Sequence, residues 1–218
     1  MEPEFWLERW QANLIGFHQD DINDYLLRYW PELGVTHDSR ILVPLCGKSL
    51  DMLWLAEQGH PVIGIEISQL AVESFFSENG LTPEIHKEGY GLRYTSGQIE
   101  ILCADYFALT RKNIGEVAAF YDRAALIALT PAQRPDYVTH LGTLINAGTH
   151  GLVITLAYNQ LEMSGPPFSV TDDEVRRLFT PGYRMDQLFQ FDVLAGNARF
   201  REQGLTALTE QAYQLTRL

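Results

Sequence analysis

Apolar positions recur along this chain with two distinct periods. Five short, mostly apolar runs occur between residues 40 and 157: Ile41–Leu45, which is continuous, and Val62–Ile67, Ile99–Cys103, Val117–Tyr121 and Gly151–Ala157, in which Glu66, Glu100 and Thr155 are the polar exceptions. Runs of this kind predict strands buried on both faces, as in a parallel sheet. Between them the period lengthens toward that of a helix. A helix of about ten residues follows Leu50 and ends at Gly59, where a glycine can close it in a left-handed turn. Another starts behind Ser68 as N-cap and runs through Phe75 and Phe76 to Asn79-Gly80. A third spans Pro131 to Asn146, with Thr130 as cap and Pro131 in the first turn. A fourth starts at the capping box Thr171-Asp172-Asp173-Glu174 and runs through Phe179. Leu81 to Gln98, with its proline and three glycines, reads as an irregular connection or a weak hairpin.

The two ends carry different patterns. Trp6, Trp10, Asn13/Leu14 and Phe17 recur at helical spacing, and a second helix is expected from Asp21 to Trp30, capped by Asp20 or Asp21 and stopped by Pro31. Met185–Leu194 and Ala207–Leu218 alternate apolar and polar residues, the pattern of an antiparallel pair at a sheet edge. The order predicts a doubly wound α/β domain: a mostly parallel seven-stranded sheet with helices on both faces and a C-terminal antiparallel hairpin. Residues 1–35 form a helical segment ahead of a core at 36–218, all within one domain.

Composition narrows the function classes. The 218 residues include 28 Asp and Glu against 16 Lys and Arg, a net charge of −12, and no cluster of basic residues longer than a pair. A phosphate backbone needs a basic stripe, so nucleic acid is not the expected partner. With 46% hydrophobic residues the chain can bury a full core, and its two cysteines, Cys46 and Cys103, read as buried thiols in a reducing compartment. The six histidines show no ligand spacing, so no metal is expected. No apolar run reaches the length of a membrane span, and the N-terminus lacks a positive n-region; the expected location is the cytoplasm.

Doubly wound sheets bind ligands beyond the carboxyl ends of their strands. The residues there are Leu45-Cys46-Gly47, Glu66, Asp105-Tyr106, Asp122-Arg123 and the segment from Tyr158 to Phe168. Glu66 follows Cys46 by about 20 residues, the placement of a carboxylate that binds both ribose hydroxyls of an adenosine. The first turn has one glycine where a dinucleotide fingerprint has three, and Leu42 stands where a P-loop preceding Gly47-Lys48-Ser49 would need glycine. A nucleoside ligand without a pyrophosphate fits these features, and S-adenosylmethionine is one. Trp10 and Phe17, read alone, are core residues; Pro166-Pro167 is a rigid loop; Arg123 is either an ion-pair partner or a site residue.

Trp10, Phe17-His18-Gln19, Cys46-Gly47-Lys48-Ser49-Leu50-Asp51-Met52, Gly59 to Ser68, Asp122-Arg123-Ala124-Ala125-Leu126 and Gly165-Pro166-Pro167-Phe168 together resemble the thiopurine S-methyltransferases over nearly the whole chain. The resemblance implies a Rossmann-like, class I S-adenosylmethionine-dependent methyltransferase that acts on aromatic and heterocyclic thiols. Bacterial members are associated with selenium and tellurium compounds and with tellurite resistance. It implies cofactor contacts from Trp10, Leu45, Glu66, Asp105, Tyr106 and Arg123, and a substrate pocket of Phe17, Pro166, Pro167 and Arg199. Arg123 is expected to stabilise an anionic substrate with no general base, and the aromatic N-terminal segment to act as a lid on a monomer. Two other classes remain open on the residues alone: a nicotinamide-dependent oxidoreductase, and a non-catalytic module that senses S-adenosylmethionine.

Overall fold

The computed structural model describes residues 3–218; positions 1 and 2 of the expected N-terminal segment lie outside the described residues. Nine strands form one sheet: β1 (Ile41–Pro44), β2 (Val62–Glu66), β3 (Glu84–Glu88), β4 (Gly91–Ser96), β5 (Ile99–Cys103), β6 (Ala119–Asp122), β7 (His150–Ala157), β8 (Tyr183–Asp192) and β9 (Thr209–Arg217). Their order is β3-β4-β5-β2-β1-β6-β7-β9-β8. The five inner strands β5, β2, β1, β6 and β7 are parallel, whereas β4 and β9 run against their neighbours. The strand order reverses at β1, which pairs with β2 on one side and β6 on the other.

The expected seven-stranded core is present, and β3 and β4 extend it to nine. All five residues of β3 are exposed, so no buried face imposes a hydrophobic alternation that the sequence could display. The C-terminal pair forms as expected, with β9 inserted between β7 and β8.

The helices are α1 (Pro3–Gln11), α2 (Asp24–Tyr29), α3 (Asp51–Glu57), α4 (Gln69–Glu78), α5 (Arg111–Ile114), α6 (Ala125–Ala128), α7 (Arg134–Leu144), α8 (Asp172–Phe179) and α9 (Ala198–Glu202). Successive strand residues feed opposite faces. Ile41 and Val43 join the core beneath α2, α3 and α4; Leu42, Phe120 and Val153 join the core beneath α6, α7 and α8. At Gly64 an added Cβ would stand 2.7 Å from the sulfur of buried Cys46, which accounts for the glycine inside β2.

Several helix boundaries differ from expectation. The first helix stops at Gln11, and Asn13 takes φ +54°, a left-handed conformation that asparagine tolerates. Phe17 therefore lies in a turn, from which its ring still meets Trp6 and Trp10 edge to face at 5.5 Å. The cap of α2 is Asn23 rather than Asp20 or Asp21. Its Oδ1 accepts the N–H groups of Tyr25 and Leu26, while its own N–H is fixed by Asp51 at 2.8 Å. Pro31 does not end the segment but sits in a 3₁₀ turn that continues to Leu33. The helix expected at Pro131 begins at Arg134 instead, because Thr130 closes a preceding turn onto the Gln133 side chain. The short α6, which no periodicity announced, starts where Asp122 Oδ1 accepts the N–H groups of Ala125 and Leu126.

Candidate functional site

A cavity of about 630 Å³ opens where the strand order reverses, at the carboxyl ends of the parallel strands. All ten candidate site residues line it: Trp10, Phe17, Leu45, Glu66, Asp105, Tyr106, Arg123, Pro166, Pro167 and Arg199. Its size is that of a site able to hold a cofactor and a small co-substrate.

The turn after β1 is held in a left-handed path by Leu45 at φ +48° and Gly47 at φ +53°. A Cβ on Gly47 would lie 3.2 Å from the Trp10 indole, so the glycine lets the N-terminal helix close directly on the turn. Glu66, at the end of β2, is buried, and each of its oxygens is engaged by the main chain. Gly47 N–H donates to Oε2 at 2.9 Å and Ser68 N–H to Oε1 at 2.8 Å. Burial raises its pKa above the ordinary carboxylate value, against these N–H bonds, which lower it.

After β5, Asp105 caps a 3₁₀ turn through Oδ1, which accepts the Phe107 N–H at 3.0 Å. Tyr106 is buried; its hydroxyl donates to the Tyr137 carbonyl at 3.3 Å, so this residue borders the cavity with its ring and not with a free hydroxyl. Phe107, half exposed and edge-on to Tyr106, also lines this end; nothing in the chain's periodicity marked it.

After β6 the two neighbours divide the work. Asp122 is fully buried and holds the core together: besides capping α6 it accepts the Tyr137 hydroxyl at 2.7 Å, and burial pushes its pKa up to about 6. Arg123 borders the cavity with Nε 3.2 Å from Asp51 Oδ2, so the ion pair and the site position coincide in one side chain. Asp51 lies in the Cys46–Met52 stretch, yet only the folded chain brings it under Arg123.

The Gly165–Phe168 loop is tied down at both edges. Tyr158 hydroxyl donates to the Pro167 carbonyl at 2.6 Å, and Phe168 N–H to the Ile127 carbonyl at 2.7 Å. Arg199, on α9, donates from Nη1 to the Gly16 carbonyl and thereby ties the C-terminal linker to the N-terminal segment. His18, Lys48 and Glu210 add charged or ionisable groups to the lining. Burial, and then the nearby Lys48, lower the His18 pKa. Among the described residues no group of three His, Cys, Asp or Glu side chains could hold a metal ion, and no helix is long and apolar enough to cross a membrane.

The family model described as thiopurine S-methyltransferase matches residues 1–218. The chain belongs to this family. It is 48% identical over 215 residues to the thiopurine S-methyltransferase of Pseudomonas fluorescens, with 99% of each chain covered. It is 46% identical to the Pseudomonas putida and Bordetella petrii proteins of that name, each over 217 residues. All of this chain is covered in both cases, with 100% of the P. putida protein and 99% of the B. petrii protein. Among solved structures, an Anabaena variabilis S-adenosylmethionine-dependent methyltransferase superposes with TM-score 0.68 at 14% identity, covering 99% of this chain and 95% of that one. The magnesium protoporphyrin IX methyltransferase of Synechocystis gives 0.66 at 13% identity, covering 99% of each chain. At such identities the likeness concerns the fold.

Family membership decides among the classes that the residues left open: this is an S-adenosylmethionine-dependent methyltransferase. The site fits that cofactor on its own terms. Glu66 is a buried carboxylate with no ion pair among the described residues, and each of its oxygens has a lone pair beyond the one its N–H partner uses. Those free lone pairs suit a pair of hydroxyl donors such as a ribose carries.

Proposed function

We propose that this protein methylates the sulfur of aromatic and heterocyclic thiols, and that selenium and tellurium compounds are further soft acceptors. The observation that carries the reading is the single cavity in which Glu66 and Arg123, the latter clamped by Asp51, face a pocket walled by Phe17, Pro166 and Pro167. S-adenosylmethionine, when bound, supplies a methyl group activated by its sulfonium charge.

The residues then have separable tasks. Glu66 orients the ribose. Asp105, whose Oδ1 is used by its cap, accepts from the adenine amino group through Oδ2, and Leu45, Tyr106 and Trp10 give the apolar surfaces around the cofactor. Arg123 stabilises the anionic form of the acceptor. Phe17, Pro166 and Pro167 hold a flat ring in one orientation. Alignment of a thiolate with an activated methyl is worth roughly 7–11 kcal/mol in well-oriented reactions, enough to make proximity the main source of rate. The N-terminal segment, latched by Arg199 to Gly16, keeps water from the reacting atoms.

Incubation with methyl-labelled S-adenosylmethionine and 6-mercaptopurine, selenite, tellurite, a catechol or a purine without the thiol tests this reading. Label confined to the sulfur, selenium and tellurium acceptors is the expected result. Cofactor binding with no labelled acceptor would overturn it in favour of a sensor.

A further inference from the structure

The strand order divides the cavity across its width. Asp105, Glu66 and Leu45–Gly47 follow β5, β2 and β1, three adjacent strands, and this is the half that suits an adenosine. Arg123 follows β6. Beyond it, β7 and β9 bring Leu156 and Glu210 to register positions opposite each other, and both line the cavity. Glu210 is four strands from Glu66, about 19 Å at the usual spacing. It lies in the half left for the acceptor, on the far side of Arg123.

Glu210 is also held in place. The Tyr25 hydroxyl donates to Oε2 at 2.6 Å, and the Tyr25 ring packs on Phe189 at 4.6 Å. No ion pair reaches Glu210 among the described residues, and Oε1 accepts no hydrogen bond from them. Arg199 borders the same end, and its Nη1 donates to the Gly16 carbonyl, which ties the guanidinium to the N-terminal segment. The acceptor half thus has a cation at one side and an anchored carboxylate acceptor at the other. A ligand that matches both is a planar group with an electron-rich atom next to an N–H.

We propose that Glu210 is a further catalytic residue, which receives the proton of a ring N–H adjacent to the sulfur when the acceptor is in its thione form (the H–N–C=S tautomer of a heteroaromatic thiol). This rests on the S-methylation reading above. The N–H proton passes to Glu210, and the N–H electron pair becomes the ring C=N bond. The C=S π pair becomes the new S–CH3 bond, while the pair of the broken C–S⁺ bond stays with the departing sulfur. Product and spent cofactor both leave as neutral thioethers. Arg123 stabilises the negative charge that gathers on the sulfur as Glu210 takes the ring proton, so the anionic form arises in the site and needs no prior ionisation in solution. Oxyanions of selenium and tellurium have no such N–H and gain nothing from Glu210.

The test uses two nearly isosteric acceptors, 2-mercaptopyridine, which carries the adjacent N–H as its thione, and thiophenol, which has a C–H there. The full-length protein and its Glu210→Gln variant are compared by kcat/KM for label transfer to each, with S-adenosylhomocysteine affinity measured alongside. The 2-mercaptopyridine to thiophenol ratio is expected to fall by about 10² in Glu210→Gln, the scale of a lost proton acceptor. Tyr25→Phe, which removes the anchoring hydroxyl but keeps the ring on Phe189, lowers the same ratio to a smaller extent and serves if the first variant does not fold. An unchanged ratio, with both acceptors slowed alike or not at all, overturns the proposal while leaving S-methylation intact. Absence of transfer to any thiol by the unaltered protein, with the cofactor product still bound, overturns both.

Discussion

Asp51 holds Arg123 from beneath: its Oδ2 lies 3.2 Å from Arg123 Nε and also accepts the Tyr121 hydroxyl at 3.0 Å. Its other oxygen fixes the N–H of Asn23, the residue that caps α2. One buried carboxylate therefore ties the arginine of the acceptor pocket to the strand on which it sits and to the exit of the N-terminal segment. Asp51→Asn removes the charge and keeps the shape. Turnover should fall by about 10², the cost of a misplaced group of this kind, while the dissociation constant of S-adenosylhomocysteine stays within a few fold. Stopped-assay kinetics together with calorimetry check this, and an equal loss of affinity would assign Asp51 to the cofactor half.

Glu66→Ala and Arg123→Ala should separate binding from turnover. Loss of two hydrogen bonds to a charged group weakens cofactor binding by roughly two orders of magnitude or more, so titration of Glu66→Ala with S-adenosylhomocysteine should show a large rise in Kd. Arg123→Ala should bind it nearly normally and turn over slowly.

The buried Asp122 gives a pH signature. Its pKa stands at about 6 in the folded protein against a reference of 3.8, so the folded state holds its proton more tightly. Its favourable contribution is complete below about pH 4 and is lost as pH rises to about 6, a change of up to about 3 kcal/mol. Glu66, also raised by burial, acts with the same sign. Urea unfolding across this range should show stability falling as pH rises, with a shallower fall in Asp122→Asn. Identical profiles would mean that Asp122 titrates as an ordinary carboxylate.

Gly47→Ala places a Cβ 3.2 Å from Trp10 on a residue at φ +53°. The left-handed cost of roughly 1–2 kcal/mol should lower the melting temperature by several degrees, and displacement of the indole should weaken cofactor binding. A melting temperature equal to that of the unaltered protein would show that the turn relaxes.

Arg199→Ala cuts the tie to the Gly16 carbonyl. Limited proteolysis should then cleave between residues 12 and 20 several times faster, with little change in melting temperature, since the lost bond lies on the surface. Unchanged cleavage would show that the Trp6, Trp10 and Phe17 ring contacts hold the segment without the arginine.

The residues of this chain reveal much of the fold because burial on both faces leaves an unambiguous mark. Ile41–Leu45, Val62–Ile67 and Gly151–Ala157 cannot be solvent-facing, and their spacing forces crossover helices and hence a parallel sheet. Where burial is partial the mark fades: β3 is exposed along its whole length, and α6 is set by the Asp122 cap rather than by any period. By spacing alone Phe17 shares a helical face with Trp10, but the backbone turns at Asn13 and restores the contact by another route.

The residues in order are enough to locate the strand ends at which ligands gather, the Glu66 carboxylate at ribose spacing and, through the motifs, the family. Tertiary structure alone decided which distant groups meet: Asp51 under Arg123, Gly16 against Arg199, Tyr25 on Glu210. The reason is physical. Local pattern records whether a residue is buried, which is a property of its own surroundings averaged over a face. A hydrogen bond between residues as far apart as Tyr25 and Glu210 depends on the order in which strands pair, and one-dimensional periodicity does not encode that order.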